Sequence, residues 1–330
     1  MRAAWYEKQG PASEVMEVGE LETPNAGAGE VRVKLAYSGV NPSDTKRRTG
    51  FGGQVHAFPQ IVPHSDGAGV IDQVGPGGDE NRIGERVWIY CGQWQRPFGT
   101  AAEYIAIRAD YAIALPDEVE LIAGACLGIP AVTAHYAVFA DGPVTGQTVL
   151  VTGGAGAVGN YAIQLAKWGG AAKVIATVSS AEKAKLAEAA GADVVINYRE
   201  SDVAAEVMAA TADDGVDRII EVAFGANLPI TQAVLKDNGA IATYASDAAP
   251  TPTLPFYPMM QKNALLRWVF MYKIPDSAFE QARNDIMTWL SSGPTQHLVG
   301  KVFGLDETAA AHEFLESGQA AGTVVVATEA

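Results

Sequence analysis

The chain has 330 residues, which is more than one hydrophobic core usually organises, so its length predicts two domains. Hydrophobic residues make up 48% and charged residues 18%, and the 35 glycines and 17 prolines stay below the level typical of disorder. The formal net charge of −15 disfavours nucleic acids and anionic membrane surfaces as partners.

Cysteine usage and the start of the chain point to a cellular compartment. Two cysteines, Cys91 and Cys126, are too few for a disulfide framework, and neither Cys-x-x-Cys nor His-Glu-x-x-His occurs. The polar start from Met1 to Lys8 is unlike a signal peptide, and no apolar run approaches the ~18 residues that span a bilayer. These features predict a cytoplasmic protein in a reducing environment.

The first part of the chain reads as mostly β-structure. Short apolar or alternating runs are separated by glycine, proline and asparagine clusters, at 31–37, 69–74, 86–90 and 102–107. We expect a barrel-like or irregular packing of these strands.

From about Thr148 apolar strand-like runs alternate with helical patterns. The runs fall at 149–152, 174–178, 194–196, 218–222, 240–244 and 265–271. Buried strands that alternate with helices are typical of a doubly wound parallel sheet, and six strands would complete a dinucleotide-binding fold.

The C-terminal tail returns to a mixed pattern. After Pro275 it predicts a long helix, a strand at 298–303, a helix at 308–316 and a strand at 323–327. About 60 residues make a poor independent core, so we assign the tail to the first domain. The predicted domains are 1–122, the first part of the β-rich domain; 123–272, the dinucleotide-binding domain; and 273–330, the rest of the first domain.

A glycine-rich loop lies between the strand at 149–152 and a helix that runs to Trp168. The sequence Gly154, Ala155, Gly156, Ala157, Val158 and Gly159 matches G-x-G-x-x-G, where backbone N–H groups and a helix N-terminus favour a pyrophosphate. A tight turn without a ligand is the alternative, but the flanking strands and helix favour a nucleotide site.

The end of the next strand bears on which dinucleotide is bound. NAD-binding members of this fold have Asp or Glu there to hold the ribose 2′-hydroxyl. This chain has Ser179 and Ser180 instead, with Lys183 close by. Because hydroxyls and a cation suit a 2′-phosphate and a carboxylate would repel it, the sequence predicts NADPH.

Several segments resemble those of a known family. They are 39–44, 65–70, 127–134, 152–159, 196–200 and the ending 311–322. In this order and spacing they resemble the medium-chain dehydrogenase/reductase superfamily, in particular its zinc-free quinone oxidoreductase branch, which includes zeta-crystallin. The resemblance implies an α/β protein in which a mostly-β GroES-like catalytic domain accompanies a doubly wound Rossmann domain with a parallel sheet.

The resemblance also bears on metal. Zinc-dependent relatives have ligands at positions that fall on Asn41, Ser65 and near Ile129 of this chain, so all three ligands are lost. His64 is one position away, but a lone histidine without partners at ligand spacing is more often structural. We therefore expect no metal.

The resemblance further implies the site residues. Asn41, Asp44 and Thr133 are the catalytic candidates, although Asp44 could equally cap a turn after Pro42. Lys46 stands where relatives commonly have a tyrosine over the cofactor, with Arg47 and Arg48 next to it, and a basic, solvated loop is the alternative there. The candidate cofactor-binding residues are Asn41, Lys46, Thr133, Gly154, Ala155, Gly156, Ala157, Val158, Gly159, Ser179, Lys183, Tyr198, Asn227, Tyr244, Ala245, Ser246, Val269, Phe270 and Met271. Among these, Ser179, Lys183 and Tyr198 would surround the 2′-phosphate and adenine, and Asn227 would be on the adenosine side. Asn41 and Thr133 would be near the nicotinamide, and the pocket around it would be lined by Tyr244, Ala245, Ser246, Val269, Phe270 and Met271.

Without zinc, alcohol oxidation loses its Lewis acid, whereas reduction of an acceptor with its own electron sink needs only orientation and exclusion of water. We therefore expect hydride transfer from NADPH to a quinone. The alternatives are an enone or alkenal double-bond reductase, and a non-enzymatic NADPH-binding protein of crystallin-like or RNA-binding type, although the net charge argues against RNA. The apolar edge at 265–271 and the resemblance predict a homodimer.

Overall fold

The computed structural model describes residues 1–53 and 55–329. The chain divides into two compact units, one formed by Met1–Ile129 together with the segment from His297 onward, the other by Pro130–Gln296. No helix among the described residues is long and apolar enough to cross a bilayer.

The strands, in chain order, are β1 (Arg2–Tyr6), β2 (Met16–Glu20), β3 (Glu30–Val40), β4 (Asp66–Val74), β5 (Arg86–Ile89), β6 (Tyr104–Arg108), β7 (Ala112–Ala114), β8 (Thr148–Val151), β9 (Lys173–Val178), β10 (Val194–Asn197), β11 (Val216–Glu221), β12 (Leu235–Thr243), β13 (Leu265–Trp268), β14 (Val299–Gly304) and β15 (Thr323–Ala327). The helices are α1 (Ala12–Val15), α2 (Pro42–Thr49), α3 (Leu121–Gly124), α4 (Gly128–Phe139), α5 (Ala157–Trp168), α6 (Ala181–Ala189), α7 (Val203–Ala210), α8 (Phe224–Val234), α9 (Phe256–Gln261), α10 (Asp276–Ser291) and α11 (Thr308–Glu316).

The first unit is built on a seven-stranded, mostly antiparallel sheet. Its order is β14-β15-β3-β4-β5-β7, and β6 also pairs with β3. Alternate residues of β3, namely Val31, Val33 and Leu35, are buried among apolar side chains of the neighbouring strands, as expected for a sheet with one face in a core. Because β15 pairs antiparallel with β3, the end of the chain completes a sheet that its first part begins.

The second unit contains a six-stranded parallel sheet in the order β10-β9-β8-β11-β12-β13. This confirms the predicted doubly wound sheet. The chain moves outward from β8 to β10 and then resumes at β11 on the other side of β8. The topological switch point therefore lies between the carboxyl ends of β8 and β11, where such folds bind their ligands.

The bounds of the two units differ from those inferred from the sequence. Helix α10 lies within 273–330, which the sequence assigned to the first domain, whereas the structure places residues 273–296 in the second unit. The reason is side-chain packing that periodicity does not reveal. Trp289 packs edge-on against Tyr161 of α5, and the Asp285 carboxylate accepts a hydrogen bond from the His135 imidazole at 2.8 Å.

The strand expected at 265–271 is shorter than that. β13 ends at Trp268, and Met271 begins a 3₁₀ turn that follows it. The N–H of Val269 still donates to the Thr243 carbonyl at 2.8 Å, so the chain leaves the sheet only after this bond. β13 is the edge strand, with Leu265 and Trp268 exposed.

Candidate active site

The glycine-rich loop connects β8 to α5 and is shaped by glycines that no other residue could replace without strain. Gly153 has φ +69°, in the left-handed region. A Cβ on Gly159 would lie 2.2 Å from the Gly153 carbonyl oxygen, and one on Gly154 would lie 2.9 Å from the Cβ of Ala176. The helix therefore approaches the loop and the sheet more closely than a side chain would allow.

The rim of this loop is open backbone. Gly156 is the N-cap of α5 and is exposed, without a side-chain cap, and Ala157 and Val158 behind it are half-buried. The first N–H groups of a helix have no partner within the helix, and the helix dipole favours an anion there. The loop thus fits a pyrophosphate, with Gly154 to Gly159 as the residues that would hold it.

The three residues expected at the 2′-phosphate gather at the carboxyl ends of β9 and β10. Ser179 follows β9, and the N–H of Tyr198, which follows β10, donates to the Val178 carbonyl at 3.0 Å. Lys183 is in the first turn of α6 and is half-buried, while Tyr198 is exposed. Ser180 differs from expectation, because its hydroxyl is the N-cap of α6 and accepts the Lys183 N–H at 3.3 Å.

A carboxylate lies beside this group. Glu182 is exposed in the first turn of α6, next to Lys183. Its pKa is lowered by a hydrogen bond from its own backbone N–H and by one from the Ser180 hydroxyl. The N-terminus of α6 is therefore already faced by a negative charge of the protein.

Sequence reasoning missed Glu221, which ends β11 at the switch point. This completely buried carboxylate accepts hydrogen bonds at one oxygen, Oε1, from the Thr152 hydroxyl (2.9 Å), the Ala223 N–H (2.5 Å) and the Asn227 side chain (2.9 Å). Burial raises the Glu221 pKa. A charged residue within the apolar run 218–222 was the signal that could have identified it.

Asn227 therefore lies on α8 at the end of β11, across β8 from the strand ends that carry Ser179 and Tyr198. Its expected place on the adenosine side stays a prediction. Its side chain fixes Glu221 and through it the residue that precedes the glycine-rich loop, Thr152.

The residues expected at the nicotinamide follow β12 and β13. Tyr244 and Ala245 are half-buried directly after β12. The Ser246 hydroxyl accepts the Gly225 N–H at 2.9 Å and donates to the Ala249 carbonyl at 2.6 Å, so it closes a turn.

After β13, Phe270 is half exposed and Met271 is buried in the protein. The three residues of this segment therefore differ in exposure: Phe270 is accessible to a ligand, whereas Val269 and Met271 are buried. Thr133 lies on α4 in the second unit and is buried as well.

In the first unit Asn41 stands at the start of α2. Its N–H donates to the Asp44 carboxylate at 2.8 Å, which is the capping contact considered for Asp44. Asp44 is 2% exposed, its other oxygen, Oδ1, has no hydrogen-bond partner, and burial raises its pKa to about 7. A buried carboxyl with one oxygen unpaired favours the protonated form.

A second buried carboxylate, Asp66, holds the side chain of Asn41. The Asn41 amide donates to Asp66 Oδ2 at 2.8 Å, and the N–H of Ile129 donates to Asp66 Oδ1 at 2.8 Å. Burial raises the pKa of Asp66 too, while both bonds oppose that shift. Asp66 was not among the predicted site residues, although it is part of the 65–70 run.

The positions aligned with lost zinc ligands thus surround a carboxylate. Asn41 and Ile129 both bond to Asp66, and Ser65 precedes it in the chain. Residues 1–53 and 55–329 contain no group of three or more His, Cys, Asp or Glu side chains arranged to hold a metal ion.

His64 belongs to a buried chain of hydrogen bonds. Its Nδ1 is 2.8 Å from the Ser38 hydroxyl, and its Nε2 is 2.8 Å from Nε2 of His312. Burial lowers the pKa of His64 to about 3 and that of His312 well below its usual value, so both rings are neutral. Both nitrogens of His64 are used within the protein.

Arg48 corrects the alternative of a basic, solvated loop at residues 46–48. These residues form part of α2, and Arg48 is completely buried. Its Nε donates to His312 Nδ1 at 3.2 Å, and its Nη2 pairs with Glu316 at 2.5 Å. Lys46 is half-buried, with its ammonium over the Phe51 ring at 5.2 Å from the centroid.

Comparison with known proteins agrees with this architecture. Residues 27–117 match the model of the alcohol dehydrogenase GroES-like domain, and residues 157–289 match that of the zinc-binding dehydrogenase. The human quinone oxidoreductase is 30% identical over 296 residues, which cover 88% of this chain and 87% of that protein. The chain belongs to the quinone oxidoreductase family, the zeta-crystallin-like branch of the medium-chain dehydrogenase/reductase superfamily.

Two further proteins are similar to nearly the whole chain. The 2-haloacrylate reductase of a Burkholderia species is 29% identical and covers 100% of this chain and 99% of its own. The structure of Escherichia coli quinone oxidoreductase complexed with NADPH has a TM-score of 0.85 and 25% identity, covering 99% of this chain and 100% of that one. The chain is therefore an oxidoreductase with a nicotinamide-dinucleotide-binding fold.

Proposed function

We propose that this protein is a zinc-independent oxidoreductase that transfers hydride from NADPH to a quinone. The observation that carries the proposal is the set of donors around Asn41. Zinc sites in proteins are built from thiolate, imidazole and carboxylate ligands that converge on one point. At Asn41, Ser65 and Ile129 the chain offers an amide, a hydroxyl and a backbone N–H, and the amide and N–H are turned to Asp66.

This donor set suits an acceptor that does not depend on a protein-bound Lewis acid. NADPH supplies the hydride when bound, and a quinone has its own electron sink. Asn41 would orient the nicotinamide, and Asp44 beside it, with a pKa raised by burial to about 7, would hold or release a proton near neutral pH. The glycine-rich loop would hold the pyrophosphate through its backbone N–H groups.

The choice of NADPH over NADH rests on the ends of β9 and β10. Ser179 occupies the position of the ribose-binding acid, Lys183 is the nearby cation, and Tyr198 lies beside them. The likeness to the NADPH complex of the Escherichia coli enzyme supports the same choice. Glu182 opposes it, and the balance between Glu182 and Lys183 decides how strong the preference is.

An activated alkene is the second candidate acceptor. The 2-haloacrylate reductase aligns with the whole of this chain, and its named substrate is an electron-poor double bond. Such an alkene accepts hydride at carbon and then a proton, so it would use the same orienting groups as a quinone.

The proposed assembly is a homodimer formed through the edge strand β13. Leu265 (45% exposed), Trp268 (63%) and Phe270 (51%) form an apolar edge that pairing with a second copy would cover. Gel filtration with light scattering at micromolar concentration tests this, and a monomer would contradict it.

The decisive experiment measures oxidation of NADPH and NADH against ortho-quinones, para-quinones, enones, 2-haloacrylates and aldehydes. We expect turnover of quinones with NADPH that survives extensive chelation. Preferred turnover of 2-haloacrylates would select the alkene instead. Activity that chelation abolishes and only zinc restores would overturn the zinc-independent assignment.

A further inference from the structure

We propose that Asp66 is a positioning residue that holds the Asn41 carboxamide in one orientation. The proposal rests on the proposed function, in which Asn41 faces the nicotinamide. Asp66 itself is completely buried and would act only through Asn41.

The Asp66 carboxylate joins three segments that are far apart in sequence. Its Oδ2 accepts the side-chain N–H of Asn41, between β3 and α2, and its Oδ1 accepts the backbone N–H of Ile129, at the start of α4. Its own carbonyl accepts the Thr100 hydroxyl at 2.5 Å. Both side-chain oxygens and the backbone of Asp66 are therefore fixed.

Backbone lies close to the Asp66 side chain on two sides. A Cβ on Gly128 would lie 2.2 Å from Asp66 Oδ1, and a Cβ on Gly39 would lie 3.1 Å from the Asp66 Cβ. Two glycines thus make room for this side chain on two sides. A small movement of Asp66 would bring it into contact with backbone.

The chemistry of the pair decides which end of the Asn41 amide points where. Both side-chain oxygens of Asp66 accept N–H groups, Oδ2 from Asn41 and Oδ1 from Ile129, so it is the NH₂ end of Asn41 that faces Asp66. A flipped amide would place the Asn41 oxygen against an acceptor oxygen in a buried site, which is unfavourable. Asp66 therefore turns the Asn41 carbonyl oxygen to the opposite side.

Asp66→Asn is the first test. Its amide must turn an NH₂ group toward either Asn41 or Ile129, both of which are donors, so one contact is lost. We expect kcat to fall by about ten- to a hundredfold because a misplaced contact at the reacting centre has effects of that size. The NADPH dissociation constant, measured by cofactor fluorescence, should change by less than about threefold.

The matched control is Asp72→Asn on the same strand, β4. Asp72 pairs with Arg32 at 2.9 Å and lies outside the site. We expect a small loss of thermal stability and an unchanged kcat. A similar fall in kcat in both variants would show that any loss of charge on β4 has this effect and would overturn the proposal.

A double variant separates positioning from mere stability. Asn41→Asp combined with Asp66→Asn restores a donor facing an acceptor, with the donor now on residue 66. We expect the melting temperature to recover while kcat stays low, since a carboxylate now occupies the Asn41 position. If kcat recovered along with the melting temperature, any hydrogen bond between residues 41 and 66 would suffice for activity. That result would contradict the proposed role of Asp66 in orienting the Asn41 carboxamide.

A measurement that needs no substrate keeps this test apart from the proposed function. In protein labelled with ¹⁵N-asparagine, we expect the Asn41 side-chain amide protons to exchange slowly in the wild type and fast in Asp66→Asn. Fast exchange in the wild type overturns the proposal whatever the acceptor is. Slow exchange in a protein that oxidises no NADPH would instead reject the proposed function.

Discussion

The glycine-rich loop and the surroundings of Asn41 are built on opposite principles. The loop is shaped by its glycines, through close approaches such as that of Gly159 to the Gly153 carbonyl. Around Asn41 the protein buries polar side chains and satisfies them with one another, as Asp66 does with Asn41 and Ile129. The first arrangement is sensitive to volume, and the second is sensitive to protonation.

This difference has a thermodynamic counterpart in the first unit. The two buried histidines have lowered pKa values, whereas Asp44 and Asp66 have raised ones. A histidine whose pKa is lowered by folding reduces stability as the pH falls, and a carboxyl whose pKa is raised by folding reduces stability as the pH rises. Between about pH 4 and 6.5 the histidines and the carboxyls change the free energy of unfolding in opposite directions. The difference between a variant and the wild type is therefore more informative than the pH dependence of wild-type stability alone.

The largest effect is expected from His64→Asn. Asparagine tolerates the positive φ of 74° at this position, but the substitution removes the partner of His312 Nε2. At pH 7 we expect a loss of about 1–3 kcal/mol in the free energy of unfolding. Because His64 has a pKa of about 3 in the folded protein and near 6.5 unfolded, the wild type loses up to about 4 kcal/mol relative to the variant as the pH falls from 6.5 to 3.5.

Urea unfolding at several pH values measures this difference. Ser38→Ala is the control. It removes the hydrogen bond between the Ser38 hydroxyl and His64 but no titrating group. Its effect on stability should vary little with pH. A His64→Asn effect that is constant from pH 7 to 3.5 would show that His64 does not stay neutral in the folded protein.

A second prediction concerns the volume limit of the loop. Gly159→Ala should reduce stability by about 1–3 kcal/mol or more, because its methyl group meets backbone that cannot move away. Gly156→Ala is the matched variant, since its methyl group would meet only the Gly153 oxygen, at 3.2 Å. It should keep the melting temperature and weaken cofactor binding about tenfold by blocking the pyrophosphate.

Calorimetric melting and cofactor titration separate these two outcomes. If Gly156→Ala bound NADPH as tightly as the wild type, the exposed rim of the loop would not be the phosphate site. If Gly159→Ala melted like the wild type, the close approach would not constrain the fold.

The same contrast explains how much could be predicted from the sequence. The succession of β8, the loop and α5 could be predicted because G-x-G-x-x-G is a local motif. Its glycines mark positions where the backbone packs too closely for a side chain. The hydrogen-bond partners of Asp66 and His64 could not be predicted from a local motif. Asp66 meets residues 25 and 63 positions away, and His64 meets His312 across 248 positions.

The sequence did indicate some of these buried polar residues, but not their partners. Glu221 interrupts an apolar run, which indicates a buried charge with a partner, but nothing local names Thr152 and Asn227 as those partners. The placement of α10 failed for the same reason, because its contact with α5 through Trp289 and Tyr161 depends on tertiary packing. Backbone motifs are local, whereas side-chain networks are long-range, and only the former can be read from one sequence.

The last variants test the proposed 2′-phosphate site, at the carboxyl ends of β9 and β10 and the start of α6. Lys183→Ala should raise the KM for NADPH by about ten- to a hundredfold, the value of one charge-assisted contact, and leave that for NADH nearly unchanged. Lys185→Ala is the control, because this exposed lysine is two positions further along α6 and so on another side of the helix.

Glu182→Gln should lower the KM for NADPH by about two- to fivefold, because it removes a carboxylate that faces the N-terminus of α6. The salt dependence of NADPH binding should flatten in Lys183→Ala and steepen in Glu182→Gln, because attraction between the phosphate and the net local charge is what salt screens. If Lys183→Ala weakened NADPH and NADH equally, or if Glu182→Gln left both unchanged, the 2′-phosphate would not lie between these two side chains.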